Sequence, residues 1–387
     1  MPKLPRGNGG DDRSVFPSAS QRERWGNCPS SYWLNKRLAE QGNETTETPE
    51  MTSGTLIHAA LANEISADAL CEEDYVKFDK LVLHEANIAF NYLERGWEKA
   101  DEVLEERYWY NMGTVIDDGT MLMSGKPDVV NLYKSTHYDK TKYHVVILDY
   151  KSGYTGPVTK AEYNAQLEAL VGILHSLCDF KVDSWETWIV HTEGSNCAVY
   201  GDEQAWEIRQ SLSHELSQIA SHQLATELKP EDGQYALGGH CLWCNAKGIC
   251  PVAVKTTQVT VAETAETEVA ELTGDKLGEF LDKLPLAEKV FEEIKKAARE
   301  KLEADPDSVP GWKLQAGSAR RSIKDPEKLL NQLNTRGIEV KAKINLSVTE
   351  VEKAIRKHTN TEGIDLSDYI KTTRTKPSLR KRKGGDK

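Results

Sequence analysis

The sequence predicts an α/β (α+β) fold: a mixed sheet with helical additions, followed by a small C-terminal α+β region. Three observations predict it. Strand-like runs at 103–111, 121–133 and 143–151 follow one another through short connections, which implies hairpins rather than doubly wound units. Residues 160–177 carry Leu167, Leu170, Val171 and Leu174 at helical spacing, ahead of further strand-like runs at 185–191 and 197–200. After Pro251 the composition shifts and a second, smaller pattern of strands and helices begins.

In chain order, residues 1–14 are rich in Gly, Asp and Pro and predict a disordered lead. Residues 15–251 read as one domain. Its helices fall at 22–38, at 55–70 after the turn-like Thr52-Ser53-Gly54, at 75–99, and at 204–228 as a closing helix. The weakly patterned Thr/Val/Ala/Glu stretch 252–274 predicts a linker. Residues 275–305 form an amphipathic helical region with Pro285 as a candidate break. Residues 306–367 read as a small α+β unit. It has a strand at 311–314, a helix after Asp325-Pro326, a strand at 338–344, and a last helix announced by the capping box Ser347/Glu350. Residues 368–387 hold eight Lys/Arg against two Asp and predict a basic tail.

A chain of 387 residues, 39% hydrophobic and 28% charged, is expected to build two or three globular domains at roughly 150 residues each. No apolar run approaches the ~18 residues of a membrane span. The opening Met1-Pro2-Lys3-Leu4-Pro5 lacks the apolar stretch of a secretory signal, so a cytoplasmic protein with no membrane partner is expected. The net charge of −12 argues against a wholly basic coat for nucleic acid, though not against a local cationic groove.

The most informative segment is Val145-Val146-Ile147-Leu148-Asp149-Tyr150-Lys151. It is an apolar strand ending in Asp-x-Lys, whose two charged residues share a face. The preceding run ends in Gly125-Lys126-Pro127-Asp128. Two carboxylates with a lysine beside them suit phosphodiester hydrolysis. Mg²⁺ takes oxygen ligands, a bound metal polarises phosphate and acidifies water, and the lysine orients the nucleophile or stabilises developing charge. Two solvated strand ends would carry the same residues. His58 on the first strong helix is a candidate further ligand, since imidazole binds Mn²⁺ readily. Glu105 and Glu106 offer an extra carboxylate, with exposed strand positions as the simpler account.

His240-Cys241-Leu242-Trp243-Cys244 continues to Cys250-Pro251 as C-x₂-C-x₅-C, a metal-site spacing, with Cys28 as candidate fourth ligand. Four thiolates suit a [4Fe–4S] cluster or Zn²⁺. Cys71, Cys178 and Cys197 read as ordinary small apolar residues.

Together these pieces resemble the RecB-like branch of the PD-(D/E)xK nucleases. Ser18-Ala19-Ser20, Trp25, Cys28-Pro29 and Tyr32-Trp33 look like its opening motif. His58, Asp128, Asp149-Tyr150-Lys151 and Gln166 match its histidine, second-strand aspartate, D-x-K and helical glutamine in order. The resemblance covers about residues 15–251 and implies a restriction-endonuclease-like core. It also implies that His58, Asp128, Asp149 and the Tyr150 carbonyl bind Mg²⁺ or Mn²⁺, that Lys151 positions water, and that Gln166 steadies Lys151 or the DNA backbone. Cys28, Cys241, Cys244 and Cys250 resemble the iron–sulfur staple of AddB-type and CRISPR-adaptation nucleases. The family's Q-x-x-x-Y is broken here, where Leu170 stands four residues after Gln166; Tyr163 is the candidate replacement. Pro310-Gly311-Trp312-Lys313-Leu314, Arg320-Arg321 and Leu346-Ser347 resemble an uncharacterised phage and prophage family found among recombination genes. The resemblance therefore implies an exonuclease that resects linear DNA for a single-strand annealing recombinase. The alternatives are an adaptation-type nuclease and a catalytically silent DNA-binding or scaffold module. An oligomer is compatible with all three.

Overall fold

The computed structural model describes residues 2–7, 17–41, 49–116, 119–138, 140–153, 160–223, 226, 229, 233–265, 273–315, 319–338, 348, 351–352, 355, 366, 369–374 and 378–381. They divide into two compact units, Met1–Val290 and Phe291–Lys387. Among the described residues no helix is long and apolar enough to cross a membrane.

In the first unit, α1 (Arg22–Asn27), α2 (Ser30–Glu40), α3 (Pro49–Leu61) and α4 (Glu72–Glu94) precede the sheet. Then come β1 (Glu98–Leu104), the hairpin β2 (Tyr108–Ile116) and β3 (Gly119–Gly125), β4 (Val129–His137), β5 (Lys140–Lys151), α5 (Ala165–Leu177), β6 (Ser184–His191), β7 (Gly194–Gly201) and α6 (Asp202–Ser221). The five-stranded sheet runs β1-β4-β5-β6-β7, with β2 and β3 paired to each other outside it. Every pairing in it is antiparallel except β5 with β6, where α5 forms the crossover. The mixed sheet is therefore as the sequence predicts.

Several expectations need correcting. The run 103–111 is two strands, because the chain turns at Glu105, whose φ of +50° lies in the left-handed region. The run 121–133 is also two strands. Pro127 has no amide proton to continue a ladder, and Asp128 stands in the corner before β4. Thr52-Ser53-Gly54 is helical rather than a turn, α3 starting at Pro49 and ending well short of residue 70. Residues 2–7, expected to be disordered, lie against β1: Leu4 is 3% exposed, its amide donates to Asp101 Oδ2 at 2.9 Å, and Arg6 pairs with Asp101.

The apolar alternation of β5 feeds two cores. Val146, Leu148 and Tyr150 pack with Ile57 of α3 and Leu81 and Ile88 of α4. Val145 and Ile147 pack on the other face with Leu167, Leu170 and Leu174 of α5, and with Trp25 and Trp33. Arg22 locks α1 to this layer through Glu168 (2.8 Å) and Glu215 (2.7 Å). Gly125 of β3 is required by close approach, since a Cβ there would stand 2.6 Å from Leu170 Cδ2 and 2.9 Å from Ile173 Cδ1. Gly125→Ala is expected to lower stability by about 1–3 kcal/mol, as overpacking does. A urea midpoint equal to wild type would show that α5 moves aside without cost.

Residues 252–274 are not a simple linker, because α7 (Pro251–Ala265) occupies most of them. Its β-branched residues are poor helix formers, but Ala253 packs with Leu286, Val290, Cys241 and Cys250. In α8 (Gly274–Ala304) the helix continues through Pro285. Loss of one helical hydrogen bond costs about 3 kcal/mol, and burial of Leu286 and Val290 immediately beyond is of comparable size.

The second unit has β8 (Trp312–Gln315), β9 (Ala319–Ile323), α9 (Pro326–Thr335), β10 (Ile370–Arg374) and β11 (Ser378–Lys381). Asp325 caps α9 through Lys328 N at 3.0 Å, with Pro326 in its first turn. The 368–387 stretch is not simply a tail: β10 pairs antiparallel with β9, and β11 with β8. The expected strand at 338–344 and the Ser347/Glu350 box fall almost wholly outside the described residues.

Candidate metal centre

The end of β5 is where helices from both faces of the sheet meet. Val129 pairs with Leu148, so Asp128 and Asp149 stand one step beyond that pair, opposite each other. Asp128 Oδ2 accepts from Tyr150 N at 2.5 Å, and Glu105 N donates to Asp128 O at 3.0 Å, which ties the β1–β2 turn to this corner. From α3, His58 Nδ1 reaches Asp128 Oδ1 at 3.2 Å and Glu105 Oε1 at 3.5 Å. Lys126 Nζ holds the other Glu105 oxygen at 2.7 Å. On the α5 face, Gln166 Nε2 donates to Asp149 Oδ1 at 2.9 Å, and Lys151 Nζ meets Asp149 Oδ2 at 2.5 Å. The Tyr150 hydroxyl donates to Glu85 at 2.7 Å, and its ring stands edge-on to His58.

Burial pushes the Asp128 carboxyl above its usual range, and Asp149 adds to that push. Burial works against a charged His58, yet its hydrogen bonds to Asp128 and Glu105 hold the imidazole up at about 10. Burial likewise opposes Lys151, but Asp149 outweighs it and keeps the ammonium firmly charged. The centre thus balances negative carboxylates with protons and lysines, the duty a cation would take over.

Among the described residues, His58, Glu105 and Asp128 form the set whose candidate ligand atoms lie within 4.8 Å of one another. Opposite oxygens around Mg²⁺ or Mn²⁺ are about 4.2 Å apart, so one imidazole nitrogen and two carboxylates at this spread fit such an ion. The set borders a cavity of about 460 Å³ that Gln166 also lines. Asp149, at 4% exposed, and Lys151 adjoin the set without lining that cavity. Tyr163 is 70% exposed and does not line that cavity. Glu105 is the residue that sequence reasoning undervalued. Its signal was an acidic pair interrupting two strand patterns, but only the left-handed turn brings its carboxylate to His58.

Residues 17–251 match the model of the PD-(D/E)XK nuclease superfamily. The chain belongs to the PD-(D/E)XK nuclease superfamily. This nuclease also matches, over residues 140–384, the family described as "Protein of unknown function (DUF2800)", and belongs to it as well. No curated protein matches the chain. A solved structure described as "Crystal structure of SSO0001" is 12% identical and covers 57% of this nuclease and 95% of that chain; its TM-score is 0.23, too low to bear on the fold.

Away from the centre, Cys28, Cys241, Cys244 and Cys250 line one small apolar cavity of about 20 Å³, and all are unbridged. His240 is held up first by its hydrogen bond to Cys28. The Arg24 guanidinium, though burial lowers it, is drawn towards Cys244 and Cys28. Asn35 Nδ2 donates to Cys244 Sγ at 3.3 Å. Burial meanwhile pushes the Cys250 thiol up. Zn–S bonds of about 2.3 Å place tetrahedral sulfurs about 3.8 Å apart. Among the described residues the four cysteine sulfurs do not form a ligand set within 4.8 Å of one another.

Proposed function

We propose that this nuclease is a divalent-metal-dependent deoxyribonuclease that degrades linear DNA from its ends. The observation that carries it is the convergence of His58, Glu105 and Asp128 beside the Asp149–Lys151–Gln166 chain at the end of β5. His58, Asp128 and Asp149, with the Tyr150 carbonyl, hold Mg²⁺ or Mn²⁺, and Glu105 joins them. A bound ion supplies Lewis-acid polarisation of the phosphate and acidifies water. Lys151, its charge secured by Asp149, orients the attacking water and meets charge developing on the phosphoryl oxygens. Gln166 fixes Asp149 from the first turn of α5. The end-resecting role and the annealing recombinase partner rest on the resemblance set out above.

Mg²⁺-dependent digestion of linear duplex labelled at either the 5′ or the 3′ end tests this, with closed circular DNA and Lys151→Ala as controls. The expected result is loss of linear DNA alone, slowed at least about a hundredfold in the variant, as for removal of one preorganised charge donor. DNA binding by metal-replete protein without any digestion would replace the reading by a silent binding module.

We infer also that Cys28, Cys241, Cys244 and Cys250 hold a [4Fe–4S] cluster. The C-x₂-C-x₅-C spacing, the shared cavity and the neighbouring Arg24 and His240 support it.

A further inference from the structure

Charge is divided unevenly along the chain. The second unit, Phe291–Lys387, holds 23 Lys/Arg against 15 Asp/Glu, a net charge of +8, whereas the first holds 26 against 46, a net charge of −20. However the acids of the second unit are paired, eight of its positive charges remain uncompensated within it. The excess gathers on its strands: β8, β9, β10 and β11 carry seven Lys/Arg and no Asp or Glu. The register sets Lys313 against Arg380, Trp312 against Lys381 and Ser322 against Lys371. Like charges directly opposed weaken a ladder, so this is an arrangement that a bound anion stabilises. Ser322, Lys371 and Thr372 are exposed, and Trp312 is 43% exposed.

A polyanionic substrate makes this partition consequential. DNA carries one negative charge per ~1.7 Å of duplex. A catalytic unit of net −20 opposes its approach, and cations beside the metal centre act only within a Debye length of about 10 Å. Phosphate contacts made by the basic unit release counterions and offset that repulsion. An open aromatic among cations is also what nucleic-acid grooves use, and a purely electrostatic contact with an acidic protein does not require it. We propose that the strands of the second unit bind the phosphate backbone of DNA, without regard to sequence, and hold it for the first unit to cut. The proposal rests on the nuclease reading for the identity of the polyanion.

Binding of a fluorescent duplex to the full-length, metal-free protein would be followed by anisotropy across a range of salt concentrations. Each phosphate contact contributes about 0.9 to the slope of log K against log salt. Lys371→Gln is therefore expected to lower the slope by about 1. Lys371→Gln/Arg380→Gln/Lys381→Gln should lower it by about 2 or more and weaken binding at least about a hundredfold at ~0.1 M salt. Lys371 is exposed, so the single variant decides should the triple one not fold. Lys142→Gln, at an exposed position of β5 in the first unit, should leave the slope unchanged. A wild-type slope near zero, or one that Lys371→Gln and the triple variant retain, overturns the proposal. An equal fall in Lys142→Gln would make the effect one of net charge and overturn it too. Loss of a salt-sensitive oligomer in the triple variant, with the DNA slope intact, would turn these cations towards a second copy and likewise overturn it. Without metal the readout is independent of cleavage. A slope that depends on Lys371 upholds the surface even if the metal-replete protein digests nothing, whereas digestion with an unaltered slope keeps the nuclease reading and removes the surface.

Discussion

Asp128→Asn is expected to reduce Mg²⁺-dependent DNA cleavage by about a thousandfold or more while the protein remains folded. The substitution keeps the size of the side chain and an oxygen to accept from Tyr150 N, but removes the charge that faces His58. A metal contributes several kcal/mol of transition-state stabilisation, and 1.36 kcal/mol is a factor of ten, so losing its central carboxylate is worth about three decades. Stability should not fall in parallel. Burial already holds the Asp128 carboxyl above its usual range, so the ionised form is an unfavourable guest in the metal-free protein. The melting temperature of metal-free Asp128→Asn should stay within a few degrees of wild type, because relief of a buried carboxylate offsets the weakened hydrogen bond to His58. Glu106→Gln is the control, since Glu106 accepts from Gly7 N and does not line the cavity. Cleavage retained by Asp128→Asn would detach this residue from the chemistry. Cleavage lost together with a collapsed melting temperature would make Asp128 a structural residue instead.

The parts of this centre that could be read from sequence are those fixed by local periodicity. An apolar strand ending in Asp-x-Lys puts Asp149 and Lys151 at the end of that strand whatever surrounds them, and α5 follows from the spacing of its leucines. Asp128 was legible because Pro127 ends a strand next to it, although the same proline divides the strand that the pattern had joined. Glu105 was not legible, because its role depends on a left-handed turn and on hydrogen bonding to Asp128 O, contacts set by tertiary structure. The helix at Pro251–Ala265 was hidden by its threonines, whose Thr257 and Thr260 hydroxyls turn back onto Ala253 O and Thr256 O at 2.9 Å.

With the cluster proposed above, Cys244→Ser is expected to remove the brown colour such a cluster confers and to destabilise one stretch of the protein by about 4 kcal/mol or more, the scale on which loss of a structural metal acts. The structure says where. Cys28 caps the C-terminus of α1, but α1 and α2 are anchored independently. Arg22 pairs with Glu168 and Glu215, Trp25 Nε1 donates to Ser18 O at 3.0 Å, and Trp33 Nε1 donates to Ile219 O at 2.7 Å. Among the described residues the 233–250 stretch has short 3-10 turns and no longer helix, with apolar contacts from Leu34 and Leu38 of α2 to Cys244, Ala246 and Tyr235 and from Ala253, Leu286 and Val290 to Cys241 and Cys250. Against a total stability of about 5–15 kcal/mol, the cost therefore falls on the segment with the least reserve. Limited proteolysis of Cys244→Ser should cut within 233–265 before it touches the sheet, and a Cys28→Ser variant should give the same cuts rather than release α1. Metal analysis of wild type decides the occupant: iron with sulfide upholds the cluster, and stoichiometric zinc in a colourless protein refutes it. Protease cuts that begin in α1 or in the sheet would show that the four cysteines hold the whole domain together, not its last segment.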